Sequence, residues 1–270
     1  MRTPRLAGMG LGLVATATFA VAGCAADGDT TAPAPGRPTS GAPVTPAGSG
    51  PADPAATAAL SSAAATLGTT SFKVTMTAGP GLTVNGAVDA PKGLGTGSLA
   101  LKGESASLTV DTLLVGQDLY VRVPGVTTAG KWTHVDVSRL PEGANVGLRP
   151  GQIDPADTAR LLTAATDVQA AGARSYRGTL DLTRAAGITG IDKVTVDGWG
   201  EAAHRVPFTA GLDEQGRLSA LTLDLPAVAG QQAQPLEVLY TDYGTIVVAE
   251  KPAAAEITEA PESLYTTLGG

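Results

Sequence analysis

The residues best suited to acid–base or metal chemistry in this sequence are its two histidines, His134 and His204. His134 lies in the segment KWTHVDV, and Asp136 follows two residues later, so on a β-strand the imidazole and the carboxylate share a face. Two candidate ligands do not define a metal site, because zinc sites use three or four protein ligands. We therefore predict a surface histidine at His134, and we expect no metal and no other cofactor.

Motifs for hydrolysis or nucleotide binding give no further support to catalysis. The nucleophile pattern Gly-x-Ser-x-Gly is absent, and the acidic residues are scattered rather than paired as in a glycosidase. The stretch GTGSLA, residues 95 to 100, matches Gly-x-Gly-x-x-Ala, but it leads into a strand pattern and not into a helix whose N-terminus would hold a phosphate. We predict a turn at this stretch and a protein that is not an enzyme.

The single cysteine, Cys24, is the one residue whose position indicates a covalent modification. It follows Val21-Ala22-Gly23, and "VAGC" resembles the bacterial lipobox, in which the thiol is acylated and the preceding segment is cleaved. Each buried methylene of an acyl chain contributes about 0.8 kcal/mol, so two or three chains anchor a protein firmly. The alternative is a small buried hydrophobic residue or an unpaired thiol.

Residues 1 to 23 have the three parts of a secretory signal peptide. Arg2 and Arg5 form a basic start, an apolar Gly/Ala-rich stretch follows, and small residues precede Cys24. A permanent transmembrane helix is the alternative, since an apolar stretch of roughly 17 residues is at the short limit for a bilayer. We predict an exported protein, lipid-anchored on the extracytoplasmic face of the cell membrane.

Composition divides the remaining chain into a linker and one domain. Residues 24 to 54 are rich in Pro, Gly, Ala, Ser and Thr and cannot bury enough apolar surface to fold, whereas residues 55 to 270 have the length of one domain. The net charge is −7, which argues against a nucleic-acid partner.

Hydrophobic periodicity predicts an α+β domain in which strands predominate. A helix is expected at ADPAATAALSSAAATLG, ending at Gly68, and a second over residues 155–168, with Asp154 as its N-cap. Residues 185 to 200 are ambiguous. Strands are expected at SFKVTMTAG, LTVNGAVDA, GSLALKG, ASLTVDTLLVG, DLYVRVP, KWTHVDV and ARSYRGTLDLTRA, with a tight turn at Gln117-Asp118. A hairpin is expected around Glu214-Gln215-Gly216, and a final pair of strands in PLEVLYTDYGTIVVAEKP.

The ordered set of these segments resembles a known family. In their order and spacing, they are similar to the mycobacterial cell-envelope lipoproteins of the LppX/LprAFG family and their actinobacterial relatives. The segments that carry the likeness are SFKVTM, VGQDLYVRV, GKWTHVDV, IDPADTARLL, SYRGTLDL, VPFTAGLDEQGRLSALTLDL and TDYGTIVVAEKP. The likeness covers the chain from Ala55 to Pro252. It implies a single large curved antiparallel sheet, a half-barrel, with helices packed on its concave side around an apolar cavity that holds acylated lipids or glycolipids for carriage across the envelope.

The candidate cavity residues are small and medium aliphatic side chains on the predicted strands and the predicted middle helix, which fill less volume than aromatic ones. Each could also be ordinary core. We expect a monomer, with an envelope transporter as a further partner. The alternative function is a noncatalytic anchored scaffold with a filled core. The proposed cavity residues are Val74, Met76, Leu99, Leu101, Val110, Leu119, Val121, Leu161, Leu180, Leu182, Leu221 and Leu223.

Overall fold

A computed structural model describes residues 51–103, 107–125, 127–140, 148, 154–185, 191, 193–227 and 233–267, all in one compact unit. The predicted signal peptide, Cys24 and the linker up to residue 50 lie outside the described residues.

The described part of the chain forms one large, open, curved sheet of twelve strands. In chain order the strands are β1 (Ser71–Ala78), β2 (Leu82–Asp89), β3 (Leu94–Lys102), β4 (Ser107–Val115), β5 (Asp118–Arg122), β6 (Trp132–Asp136), β7 (Ala165–Ala170), β8 (Ser175–Leu180), β9 (Val206–Leu212), β10 (Leu218–Asp224), β11 (Pro235–Thr241) and β12 (Ile257–Glu259). Their order across the sheet is β12-β6-β5-β4-β3-β2-β1-β11-β10-β9-β8-β7.

The sheet is mixed, which corrects the prediction of a purely antiparallel one. The strand pairs are antiparallel except that β12 runs parallel to β6. Parallel neighbours need a long crossover, because a tight turn can only reverse the chain. Here the crossover is the chain from residue 242 to 256, which leaves β11 and must pass the six strands β1 to β6 before β12 pairs with the outer edge of β6.

The predicted meander of six strands is confirmed in β1 to β6. The reversal predicted at Gln117-Asp118 lies one residue earlier, at Gly116 and Gln117, where Gly116 has a positive φ of 65°. The turn predicted at GTGSLA is wrong, because residues 95 to 100 lie inside β3. Glycine is needed in this strand: a Cβ on Gly97 would lie 2.7 Å from Oγ1 of Thr112 on β4.

Four helices accompany the sheet in the described ranges: α1 (Pro54–Thr66), α2 (Thr158–Thr163), α3 (Lys193–Trp199) and α4 (Glu262–Thr267). The first predicted helix is confirmed, and the Asp53 carboxylate caps α1 by accepting from the Ala55 amide at 2.9 Å. The predicted 155–168 helix is too long. It is limited to α2, because residues from Ala165 onward pair with β8 instead.

The final strand pair predicted in PLEVLYTDYGTIVVAEKP is also wrong. Only its first half is a strand, β11, after which Asp242 and Gly244 take positive φ values and redirect the chain. We call residues 242–256 the C-terminal strap. The Gly244 amide donates to the Ser71 carbonyl at 2.8 Å, and the Ser71 hydroxyl donates to the Thr245 carbonyl at 2.6 Å, which fixes the start of the strap on β1.

The core lies on one face of the sheet, which we call the apolar face. On β1 it carries Phe72, Val74 and Met76, which are all buried. The same buried cluster includes side chains from the helices, among them Leu60, Leu161 and Val196. Burying these groups is the main favourable contribution to folding, since each fully buried aliphatic or aromatic side chain contributes about 1.5–3 kcal/mol.

Candidate functional site

The strand register shows which of the predicted cavity residues share a face. Met76 pairs with Val84, Val84 with Leu99, and Leu99 with Val110, so one row of side chains crosses β1 to β4. Directly paired residues project from the same side of a sheet. By this register, ten of the predicted residues lie on the apolar face: Val74, Met76, Leu99, Leu101, Val110, Leu119, Val121, Leu180, Leu221 and Leu223.

The two remaining predicted residues come from other elements. Leu161 lies in α2, and Leu182 lies in the 3-10 turn Leu182–Arg184 that follows β8. Both are 2% exposed and belong to the same buried cluster as the apolar face. The structure therefore brings the predicted set together around one face, although the middle helix that supplied Leu161 is much shorter than predicted.

Burial differs between the two halves of the apolar face. Predicted residues on β1, β8 and β10 are buried, whereas those on β3 and β4 are accessible to solvent. Leu101 is 38% exposed, and its register partner Leu108 on β4 is 37% exposed. We call this uncovered region the open patch; its residues are Leu82, Leu99, Leu101, Leu108, Val110 and Val121.

Leu108 was missed as a site residue in the sequence. It stands at the start of the segment SLTVDTLLV, beside the exposed Ser107, where alternation alone does not show whether a side chain is covered. The signal that could have found it is its pairing with Leu101, which the predicted β3–β4 hairpin implies once its register is fixed.

A polar cluster interrupts the buried half of the apolar face. The Tyr240 hydroxyl on β11 donates to Oδ2 of Asp154 at 2.8 Å and contacts the Thr158 hydroxyl at 2.5 Å. The Asp154 carboxylate also accepts from the backbone amides of Ala156 and Thr158, which fixes the entry into α2. Asp154 is therefore not the helix N-cap that the sequence predicted, because α2 begins at Thr158 with Asp157 at the N-cap position; Asp154 instead fixes the turn that leads into the helix.

Burial controls the ionisation of this cluster. It raises the pKa of Asp154 above the usual carboxyl value, despite the hydrogen bonds from Thr158, Tyr240 and Ala156 that favour the charged form. Burial, together with the nearby Asp154 charge, raises the pKa of Tyr240 well above its usual value. Each polar group here has its partner within the cluster, so the cluster is a structural feature of the core.

The opposite face of the sheet carries the histidine from which the sequence analysis began. The His134 side chain is 15% exposed, so it is half-buried on this face rather than fully exposed as a surface histidine. It lies between two carboxylates, with Nε2 2.6 Å from Oδ1 of Asp118 and Nδ1 2.7 Å from Oε2 of Glu259. Its ring stacks on Tyr120 with a centroid distance of 5.1 Å. Asp136 accepts instead from Ser138.

The second histidine has a different setting. The His204 side chain is half-exposed, and its Nδ1 lies 3.3 Å from Oδ1 of Asp181. Within the described ranges, no group of three or more histidine, cysteine or acidic side chains is arranged to hold a metal ion.

A separate cleft of about 400 Å³ lies where β9, β10 and β11 meet the turn after α3. Its walls include Arg205, Pro207, Asp224 and Pro235. Pro207 and Asp224 are neighbours of the buried Phe208 and Leu223 in their strands, so they project from the opposite face. The cleft contains no predicted cavity residue, and it is therefore distinct from the open patch.

Comparison of the chain with protein-family models and with curated proteins gave no match. In the part of the chain that the structure describes, no helix is both long and apolar enough to cross a bilayer.

Proposed function

We propose that this protein is a membrane-anchored extracytoplasmic lipoprotein that binds acylated lipids or glycolipids on its apolar face and carries them across the cell envelope. In this proposal the curved sheet is a half-barrel, the helices pack on its concave side, and lipid chains occupy the space between them. Cys24 carries the anchor. The protein has no catalytic role in this proposal.

The open patch is the observation that supports this function best. Its six side chains are aliphatic. Leu82, Leu101 and Leu108 are paired in one row, Leu99 and Val110 continue the row that forms the buried core, and Val121 pairs with Thr112, diagonally adjacent to Val110. Aliphatic side chains that remain accessible beside a core favour an apolar ligand, because covering them removes apolar surface from water at about 25 cal/mol per Å². The chemistry of the patch fits acyl chains, which need no hydrogen-bonding partners.

The direct test is native mass spectrometry of protein expressed without residues 1 to 24, a change that removes none of the described residues. We expect acyl lipid to copurify with this protein and to dissociate as the collision energy is raised. A protein that stays empty after isolation from lipid-rich membranes, and after incubation with mixed phospholipids, would favour the alternative function of an anchored scaffold with a filled core.

Two neighbouring residues of β4 provide matched variants for the same measurement. Val110 projects into the open patch, whereas the exposed Thr109 projects from the opposite face. We expect Val110→Trp to raise the dissociation constant for lipid about tenfold, equivalent to about 1.4 kcal/mol, and so to lower the lipid-bound fraction, because the indole occupies the space of the ligand. Thr109→Trp should leave the bound fraction unchanged. Equal losses in the two variants would contradict a site on the apolar face.

A further inference from the structure

The C-terminal arm, which we define as β12 and α4 (residues 257–267), is held on the edge of the sheet by a short strand pair and by side chains of α4. Tyr265 is buried in the core cluster with the Arg139 guanidinium over its ring, and Glu262 pairs with Arg139 at 2.6 Å.

β12 pairs with β6 over only three residues, ending with Glu259 opposite His134. The Ala260 amide then donates to the His134 carbonyl at 2.9 Å, and the Asp136 amide donates to the Tyr265 hydroxyl at 3.0 Å. Because the pairing of β12 with β6 is this short, the side-chain contact between Glu259 and His134 contributes a substantial part of what holds this strand on the edge.

The contact between His134 and Glu259 depends on the protonation of the imidazole. Both ring nitrogens lie within hydrogen-bonding distance of carboxylate oxygens, one from Asp118 and one from Glu259. Ionised carboxylates can only accept, so both nitrogens must carry a proton and donate. Neutral histidine has a single N–H and would leave one carboxylate facing an unprotonated nitrogen. The arrangement is complete only with the imidazolium.

Of the other charged groups near His134, one favours its protonated form and one opposes it. Asp136, on the same strand as His134, adds a negative charge that favours the imidazolium. Lys251 of the C-terminal strap lies near Tyr120, Asp118 and Glu259, and Tyr120 above all, followed by the two carboxylates, raises the pKa of its ammonium group. Lys251 therefore remains positively charged and partly offsets the carboxylates when His134 is neutral. It does not replace the hydrogen bond from His134 to Glu259.

We propose that His134 is a pH-controlled latch for the C-terminal arm. The doubly protonated imidazole joins β5 to β12 through Asp118 and Glu259 and keeps the arm on β6. Loss of one proton breaks one of these two hydrogen bonds and leaves the two carboxylates without the charge between them. The arm then opens, and the backbone edge of β6 becomes accessible.

The direction of the pH dependence follows from thermodynamic linkage. Burial disfavours the charged imidazole, but the hydrogen bonds and charges of Glu259 and Asp118 outweigh it and raise the pKa of His134 above its usual 6.5. A raised pKa in the closed state means that the latch contributes fully below pH 6.5. Its contribution is lost as the pH rises through the raised value.

Hydrogen exchange of the full-length protein, followed by mass spectrometry on peptides covering residues 257–267, tests the latch. Protection of these amides, corrected for the intrinsic pH dependence of exchange, should fall as the pH rises above 6.5. The fall is at most about tenfold per pH unit, because one proton is released. Peptides from β1 and β11 serve as internal references, and their protection should not change over this range.

Two variants separate a latch from a purely structural contact. Glu259→Gln places an amide donor opposite Nδ1, so a neutral His134 can accept from Gln at position 259 while still donating to Asp118. We expect the arm of this variant to stay protected through the range in which the wild-type arm opens. His134→Gln should give low protection at every pH, with no step. His204→Gln is the matched control, and it should retain the wild-type step because His204 is the only other histidine.

Two results would overturn the proposal. One is a wild-type arm whose corrected protection does not change between pH 6 and about 9, a range that spans ordinary and raised histidine pKa values. The other is a Glu259→Gln variant that is less protected than the wild type at every pH, which would mean that Glu259 acts only as a structural partner of the imidazole.

Discussion

Among single residues, Asp154 shows most clearly how the apolar face accommodates a polar group. Its carboxyl lies beside an aliphatic core, where an unpartnered polar group would be destabilising by roughly 1–3 kcal/mol. The Tyr240 hydroxyl and two backbone amides satisfy its oxygens, and burial raises the pKa of the carboxyl. The cluster thereby joins β11 to the start of α2.

This cluster predicts a measurable coupling between two residues. Tyr240→Phe keeps the ring packed against Phe72 but removes the donor to Asp154, so we expect the free energy of unfolding to fall by about 1–3 kcal/mol. Urea unfolding of Tyr240→Phe, Asp154→Asn and the double variant completes a double-mutant cycle. The coupling should exceed about 0.5 kcal/mol, since the two side chains are in contact. Additive losses would show that the hydroxyl and the carboxyl act independently.

At the scale of secondary-structure elements, β7, β8 and β9 pack closely because β8 contains a glycine. A Cβ on Gly178 would lie 2.8 Å from Cε1 of Phe208 on β9 and 2.8 Å from the carbonyl oxygen of Thr166 on β7. The carbonyl belongs to the backbone and cannot move without disturbing the pairing of β7 with β8. Gly178 thus permits the close approach of three strands, and its role is steric.

Gly178→Ala should therefore destabilise the fold by about 1–3 kcal/mol, the usual range for overpacking. Gly198→Ala in α3 is the matched control, because a Cβ at Gly198 has no neighbour within 4 Å. We expect Gly198→Ala to be neutral or to stabilise the protein by about 0.4–1 kcal/mol through reduced entropy of the unfolded chain. Thermal or urea unfolding distinguishes the two, and equal effects would refute the steric explanation for Gly178.

At the scale of the whole molecule, the two ends of the described chain meet opposite edges of the sheet. The Asp53 amide donates to the Val168 carbonyl of β7 at 2.7 Å, so the chain enters the fold at the β7 edge. The C-terminal arm covers the other edge at β6. The open patch on β2 to β5 is thus separated from the entry of the predicted linker by at least the five strands β8, β9, β10, β11 and β1.

The proposed anchor predicts where the whole protein is found in the cell. Cys24→Ser removes the thiol that would carry the lipid, so metabolic labelling with radioactive palmitate should disappear and the protein should leave the membrane fraction. Wild-type protein processed in parallel is the control. Continued membrane association of the variant without label would instead favour the uncleaved apolar segment as a transmembrane helix.

Local sequence was sufficient for much of this protein. Alternation of apolar and polar residues located β1 to β6 and the hairpin of β9 and β10, because a period of two is a property of neighbouring residues. The segment ADPAATAALSSAAATLG, with Gly68 at its end, likewise located α1. The same alternation placed ten predicted cavity residues on one face.

Only the tertiary structure decided the remaining features. The strap passes the six strands β1 to β6 to bring β12 parallel to β6. His134 meets Asp118 and Glu259, which are 16 and 125 residues away in the chain. The division of the apolar face into a buried half and the open patch also depends on which elements cover it. Contacts between distant residues depend on the path of the whole chain, whereas periodicity reports only which way each side chain points.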